Sequence, residues 1–240
     1  LMNLEQGPQT MVDKCVTVYI DYKSPYAYLA IEPTQTLVRD YNVSLNWLPY
    51  TLHIPDFLGS AKVNDQGQIL EQDRSPHQWR RVRYAYMDAR RYANLCGLTI
   101  RGPRKIWDSS LASIGLLYAK EQGNFHAYNS RVYEEFWRRE LNIEDQEAIK
   151  LILSETGSDS ANFETYASKK GRLLHDKIRS EAEEKGVFGV PTYVLDDEIF
   201  WGREHLPLIR LRLSQKGLAR PGIKAPIDTT HAWRPDAPGW

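Results

Sequence analysis

Cysteine is nearly missing from this chain of 240 residues: only Cys15 and Cys96 occur. So few sulfurs exclude a disulfide scaffold and a thiolate-rich zinc site. Excess charge of either sign is also missing, because Lys+Arg and Asp+Glu both number 31. A neutral chain lacks the cationic surplus by which proteins hold nucleic-acid phosphates. No run approaches the roughly 18 apolar residues that a membrane span needs. The polar stretch from Leu1 to Lys14 lacks the apolar core of a signal peptide. A cytoplasmic protein with reduced thiols is the expectation. The six histidines are scattered without a His-x-x-x-His pair, so no zinc set is expected. Glycine-rich nucleotide loops and a Gly-x-Ser-x-Gly elbow are absent too, which leaves nucleotide and acyl-serine chemistry without support.

Aromatic residues, by contrast, are plentiful, with seven Trp and fourteen Tyr. From Cys15 to Tyr22 the chain is β-branched and aromatic, as a buried strand is. Ser24 suits a helix N-cap and Pro25 the first helical position, where a missing N–H costs nothing. A helix from Tyr26 to Tyr41 and a strand from Val43 to Leu48 follow. This strand–helix–strand unit predicts a parallel pair. Residues 50–77 show little pattern and read as a long loop. Five helical segments come next: Gln78–Leu95, Ser110–Gln122, Phe125–Leu141, Glu144–Glu155 and Ala161–Lys185. The strands Pro191–Leu195 and Glu198–Trp201 flank the turn Asp196-Asp197, as in a hairpin. A last helix spans Arg203–Gln215, and a proline-rich tail follows.

The order βαβ, helical block, ββα predicts an α/β thioredoxin-like fold with a large α-helical insertion. Its expected parts are a thioredoxin-like domain (15–76 and 186–216), a helical insertion (77–185) and an extended tail (217–240). Redox proteins of this fold start the first helix with Cys-x-x-Cys, where the helix dipole lowers a thiol pKa. Here that turn reads Ser24-Pro25-Tyr26-Ala27, so dithiol exchange at this position is excluded. What remains is a hydroxyl, orphan backbone N–H groups and a partial positive charge. Such a place favours an anion brought from outside, for example a thiolate.

Two segments carry a resemblance. Val18-Tyr19-Ile20-Asp21-Tyr22-Lys23-Ser24-Pro25-Tyr26-Ala27-Tyr28-Leu29-Ala30 resembles the opening of 2-hydroxychromene-2-carboxylate isomerases and kappa-class glutathione transferases. Gly186-Val187-Phe188-Gly189-Val190-Pro191-Thr192, followed by Phe200-Trp201-Gly202-Arg203-Glu204, resembles their closing segment. The helix from Arg81 to Leu98 looks similar as well, with Tyr84, Asp88, Arg91, Ala93 and Gly97 at family spacing. The Phe-Trp-Gly triplet leans toward the isomerases. The resemblance implies a DsbA-like thioredoxin domain that is usually dimeric, binds glutathione and acts on a small aromatic molecule. It assigns to Ser24 the hydrogen bond to the glutathione sulfur. Pro191 matches a cis-proline, and Val190 would pair its backbone with the cysteinyl part of glutathione. Arg203 and Glu204 fall at the polar pair that holds the γ-glutamyl group.

The chain also departs from the family pattern. Trp47-Leu48-Pro49 replaces Trp-Arg-Pro, and Arg81 stands for a lysine. Asn64 is the nearest counterpart of an asparagine that precedes proline in the family, and here the proline is missing. With Tyr26 and Trp201, Trp47 and Arg81 are the candidate substrate contacts; Asn64 joins Val190, Pro191, Arg203 and Glu204 on the glutathione side. His53 and His77 lie in the unusual loop. Asp88 and Arg91, at i, i+3, read as a structural ion pair on a basic helix. Cys15 and Cys96 read as core residues. The expected function is a glutathione-dependent isomerase of an unsaturated aromatic oxo-acid. A kappa-like transferase and a non-catalytic thioredoxin-like binding protein are the alternatives.

Overall fold

A computed structural model describes residues 14–224. Strand β1 (Cys15–Ile20) is central in a four-stranded sheet, with Val16, Val18 and Ile20 all but fully covered. Helix α1 (Pro25–Asp40) returns the chain to β2 (Ser44–Pro49), which pairs parallel to β1 from Cys15↔Ser44 to Ile20↔Pro49. After the helical block, β5 (Thr192–Leu195) pairs antiparallel with the other edge of β1. Strand β6 (Glu198–Trp201) closes the hairpin, with Asp196 at φ 56° in the turn. The strand order β2-β1-β5-β6 is that of a thioredoxin-like sheet with helices added between β2 and β5.

The loop expected at 50–77 is instead partly folded. It holds a short helix, α2 (Pro55–Leu58), and a two-stranded hairpin of β3 (Ala61–Val63) and β4 (Ile69–Gln72). These strands bury no face, so they carry no alternation by which a sequence reading finds strands. Asn64 makes the hairpin turn, its side-chain oxygen accepting from the N–H groups of Gln66 and Gln68.

The inserted helices are α3 (Pro76–Leu95), α4 (Ser110–Glu121), α5 (Phe125–Arg138), α6 (Gln146–Glu155), α7 (Phe163–Ser168) and α8 (Lys170–Glu184). Two expectations are corrected here. Helix α5 stops three residues short of Leu141, because Arg139 adopts a left-handed conformation at φ 63°. The helix expected over Ala161–Lys185 is two helices, broken at Lys169 with φ −126° and ψ −100°. Sequence spacing does not report such a break, since Lys169 is an ordinary helix former. The last helix likewise begins as a 3-10 turn (Arg203–His205) before α9 (Leu206–Gln215).

Helix α4 is the hub of the insertion and is covered from Ala112 to Ala119. Its Gly115 lets Tyr128 of α5 approach: a Cβ there would clash with the Tyr128 hydroxyl oxygen and meet Ile149 at 3.0 Å. That hydroxyl donates to the Ala112 carbonyl at 2.9 Å and cannot retreat without losing its bond. Gly115→Ala is expected to destabilise by about 1–3 kcal/mol, the range for overpacking a tight core. Urea unfolding measures it; a variant as stable as the parent would contradict the close contact, since alanine is otherwise the better helix former.

Both cysteines are exposed, against expectation. Cys15 lies on the outward side where β1 begins, and Cys96 is the C-cap of α3. Of the tail, residues up to 224 run back along the sheet domain, where Ala219 bridges Tyr41 and the Arg220 N–H donates to the Asp40 carbonyl at 3.0 Å. Residues 225–240 lie outside the described residues.

Candidate active site

The turn from β1 into α1 is held by a buried carboxylate. Asp21 is 1% exposed and accepts from the Ser109 hydroxyl at 2.5 Å, the Leu52 N–H at 2.8 Å and the Lys23 N–H at 3.2 Å. The Lys23 ammonium lies 3.4 Å from the same carboxylate and donates to Ser109 at 3.2 Å. The Asp21 carbonyl also accepts from Tyr133 at 3.1 Å and from the Ser24 N–H at 3.0 Å. One residue thus ties β1, the segment after β2, α4 and α5 to the start of α1. The sequence reading passed over it; a carboxylate inside an apolar strand signature was the available signal.

Ser24 caps α1. Its side-chain oxygen accepts from the Ala27 N–H at 3.2 Å, and its carbonyl accepts from Tyr28 at 3.2 Å. Pro25 has no N–H, so the Tyr26 N–H is the free donor of the first turn. Among the described residues, the Ser24 hydroxyl hydrogen has no acceptor and the Tyr26 N–H has no partner. Ser24 is 6% exposed and lines neither of two cavities, whereas its neighbour Lys23 lines one and Tyr26, two residues on, lines the other.

The Tyr26 cavity holds about 590 Å³ and lies toward β5 and β6. Its floor is Val190-Pro191, joined by a cis peptide bond. No hydrogen bond among the described residues uses the Val190 N–H or carbonyl, whereas the Pro191 carbonyl is taken by Gly202 at 2.9 Å. Arg203, Glu204 and Trp201 line one wall, and Asp88 and Tyr92 of α3 line the other. The Arg203 guanidinium sits 4.0 Å over the Tyr92 ring, a cation–π contact that orients it. Trp201 is half-exposed, packs on Phe188 at 4.8 Å and covers Gly189, where a Cβ would meet the indole nitrogen at 2.6 Å.

Asp88 keeps the expected i, i+3 pair with Arg91, at 4.0 Å, through one oxygen and has the other free for a second partner. Its carboxylate accepts from the Tyr26 phenol at 3.1 Å. Burial first, and then this bond, push the Tyr26 pKa far above the ordinary phenol value, so Tyr26 stays protonated. Asp88 and Tyr92 were missed as site residues, although their i, i+4 spacing puts them on one helix face.

The expected residues therefore divide. Tyr26, Val190, Pro191, Trp201, Arg203 and Glu204 meet in one cavity, which Ser24 itself does not line. Trp47, Asn64 and Arg81 line neither cavity. Trp47 is 3% exposed and stacks on Phe125 at 5.7 Å, so the residue expected at the substrate is core. Asn64 spends its side chain on the hairpin turn, and Arg81 is exposed on α3. His53 sits at the rim of the second cavity, paired with Asp56 at 2.6 Å.

Comparison with known proteins bears on the fold and the family. The family model for the DSBA-like thioredoxin domain matches residues 15–214. The chain is 27% identical over 194 residues to a 2-hydroxychromene-2-carboxylate isomerase of Pseudomonas putida, covering 80% of this chain and 90% of the relative. It is 26% identical over 197 residues to the isomerase of Sphingobium xenophagum, covering 82% and 96%. A solved 2-hydroxychromene-2-carboxylate isomerase superposes with a TM-score of 0.66 at 23% identity, covering 85% of this chain and 96% of that one. A probable DsbA oxidoreductase from Streptomyces coelicolor superposes at 0.65 with 18% identity, covering 88% and 93%. These two share the fold; the redox branch does not share its chemistry at this turn, where Ser24-Pro25-Tyr26-Ala27 has no sulfur. With 200 consecutive residues matched by one family model, the chain belongs to the DSBA-like thioredoxin domain family.

Proposed function

We propose that this protein is a glutathione-dependent isomerase acting on an unsaturated aromatic oxo-acid. The observation that carries the reading is the set of unused polar groups at the start of α1 and on the cavity floor. The Ser24 hydroxyl and the Tyr26 N–H are free donors at a helix N-terminus, and both backbone groups of Val190 are free alongside. A peptide thiol fits such a place. Val190 offers a donor and an acceptor to a peptide unit, as an added strand would take them. Arg203 is the cavity's cation for an α-carboxylate, while Glu204 and Asp88 face the position of an α-ammonium. When bound, glutathione would supply a thiolate that adds reversibly to an unsaturated carbon and so permits rotation or ring closure. Ser24 would hold that sulfur by donating its hydroxyl hydrogen, and the helix dipole would favour the anionic form. Protonated Tyr26 keeps its hydrogen bond to Asp88 and lines the wall. The isomerase relatives support the choice of reaction. A reducing compartment, where glutathione remains a thiol, suits this reading.

Calorimetric titration of the protein with reduced glutathione tests it. Saturable binding is expected, weakened by about tenfold or more in Glu204→Gln, which removes a charge-assisted partner of the ammonium. Absence of binding would sink the glutathione claim. A product retaining the glutathione sulfur would move the reading to a kappa-like transferase.

A further inference from the structure

The cavity on the other flank of Ser24 has no role in the reading above. It holds about 440 Å³ and lies toward β2, between the segment after that strand and helices α4 and α8. That volume is within the usual range for a small-molecule site. Leu52, Ile54, Ile106 and Trp107 give it an apolar wall. Its charged groups are mostly already satisfied. Lys23 is 3.4 Å from Asp21, Arg179 donates to Glu183 at 2.9 Å, and His175 is held by Asp176 at 2.9 Å and Thr51 at 2.8 Å. Arg172 of α8 is the exception: among the described residues it has neither an ion pair nor a hydrogen bond, although it lines the cavity and is half-buried. Asp108 also lines it, with one oxygen committed to the Ser110 N–H at 2.8 Å. An unpaired guanidinium beside an indole and aliphatic side chains is complementary to an aromatic carboxylate, because the fork takes both oxygens while the ring replaces water on the apolar wall. Against the opposing effect of burial, the Ser110 bond and then the Lys23 and Arg172 charges lower the Asp108 pKa, and its second oxygen is left for a hydroxyl donor on such a ligand.

We propose that this second cavity is the acceptor-substrate subsite, that Arg172 anchors the substrate carboxylate, and that the two ligands meet at Ser24, with Lys23 on one side and Tyr26 on the other. The proposal rests on the glutathione-isomerase reading for the identity of the reaction. The carboxylate site itself is tested separately.

The probes are trans-benzylidenepyruvate and its methyl ester, titrated by calorimetry with and without glutathione. In Arg172→Gln the acid is expected to bind about 10–100-fold more weakly than in the wild type, as for loss of hydrogen bonds to a charged group. The ester is expected to bind both proteins alike, glutathione affinity to stay unchanged, and Arg172→Lys to recover part of the loss. Unchanged glutathione affinity also shows that the variant is folded. Acid binding that is absent from the wild type, equal in Arg172→Gln, or no tighter than ester binding would overturn the subsite. Acid binding that depends on Arg172 in a protein that ignores glutathione would support the carboxylate site and overturn the glutathione reading alone.

Discussion

Asp21→Ala is expected to cost about 3–5 kcal/mol of folding stability, the range for removing one partner of a buried ion pair. Asp21 and the Lys23 side chain are almost fully covered, at 0% and 6% exposure. Deleting the carboxylate leaves the Lys23 ammonium without its counter-charge. It also leaves the Ser109 hydroxyl and the Leu52 N–H without their acceptor, at sites where water has little access. At ~2–4 °C per kcal/mol for a domain of this size, the melting temperature should fall by about 6–20 °C. The double variant Asp21→Leu with Lys23→Met separates charge from packing. It should recover a large share of the loss, because two buried charges are desolvated together or not at all. Thermal unfolding followed by circular dichroism decides. A single variant that melts within about 3 °C of the parent would show that water reaches Lys23 and that the network does not bind sheet to insertion.

Ser24→Ala is expected to lower kcat/KM for the isomerisation by about 10²–10³, as for loss of one oriented donor to a developing or resident anion. The same change removes an N-cap, which costs only about 0.5–2 kcal/mol of stability. A loss of rate with a melting temperature only a few degrees lower would therefore belong to the chemistry and not to the fold. The sign of the pH dependence follows from the hydrogen bond. Donation from Ser24 favours the thiolate over the thiol, so the bound thiol titrates at lower pH in the wild type than in Ser24→Ala. The activity deficit should be greatest at low pH and shrink as pH rises and the thiol ionises unaided. A deficit that stays constant across pH would assign Ser24 to substrate positioning instead.

The outline of the fold was legible because its signals are local and periodic. The β-branched run from Cys15 to Ile20, the Ser24-Pro25 start and the Asp196-Asp197 turn each declare themselves within a few residues. The hairpin at Ala61–Gln72 did not, because no buried face imposes alternation on it. The break at Lys169 was invisible for a different reason. It brings Gly171 against Ile114 and Tyr166, where a Cβ would meet both side chains within 2.6 Å, and this is a demand of packing. Trp47 shows the reverse error: its place in the segment matching the family's Trp-Arg-Pro suggested a substrate contact, but β2 turns that side chain toward Phe125.

The sequence by itself determined the class of chemistry open to this protein. A thioredoxin-like helix start without cysteine excludes dithiol exchange there, and Ser24, Pro25 and Pro191 can be read directly from the residues. Tertiary structure alone decided which polar groups are left unused. Asp88 pairs with Arg91 as its spacing suggests, yet it also holds Tyr26. Asp21 looked like part of a strand, yet it ties five segments together. Nothing in the sequence singles out Arg172, yet among the described residues it lines a cavity without an ion pair or a hydrogen bond. A side chain's hydrogen-bond partners come from segments distant in sequence, 88 residues apart between Asp21 and Ser109 and 159 between Thr34 and Tyr193. Burial then makes each such pairing, or its absence, decisive.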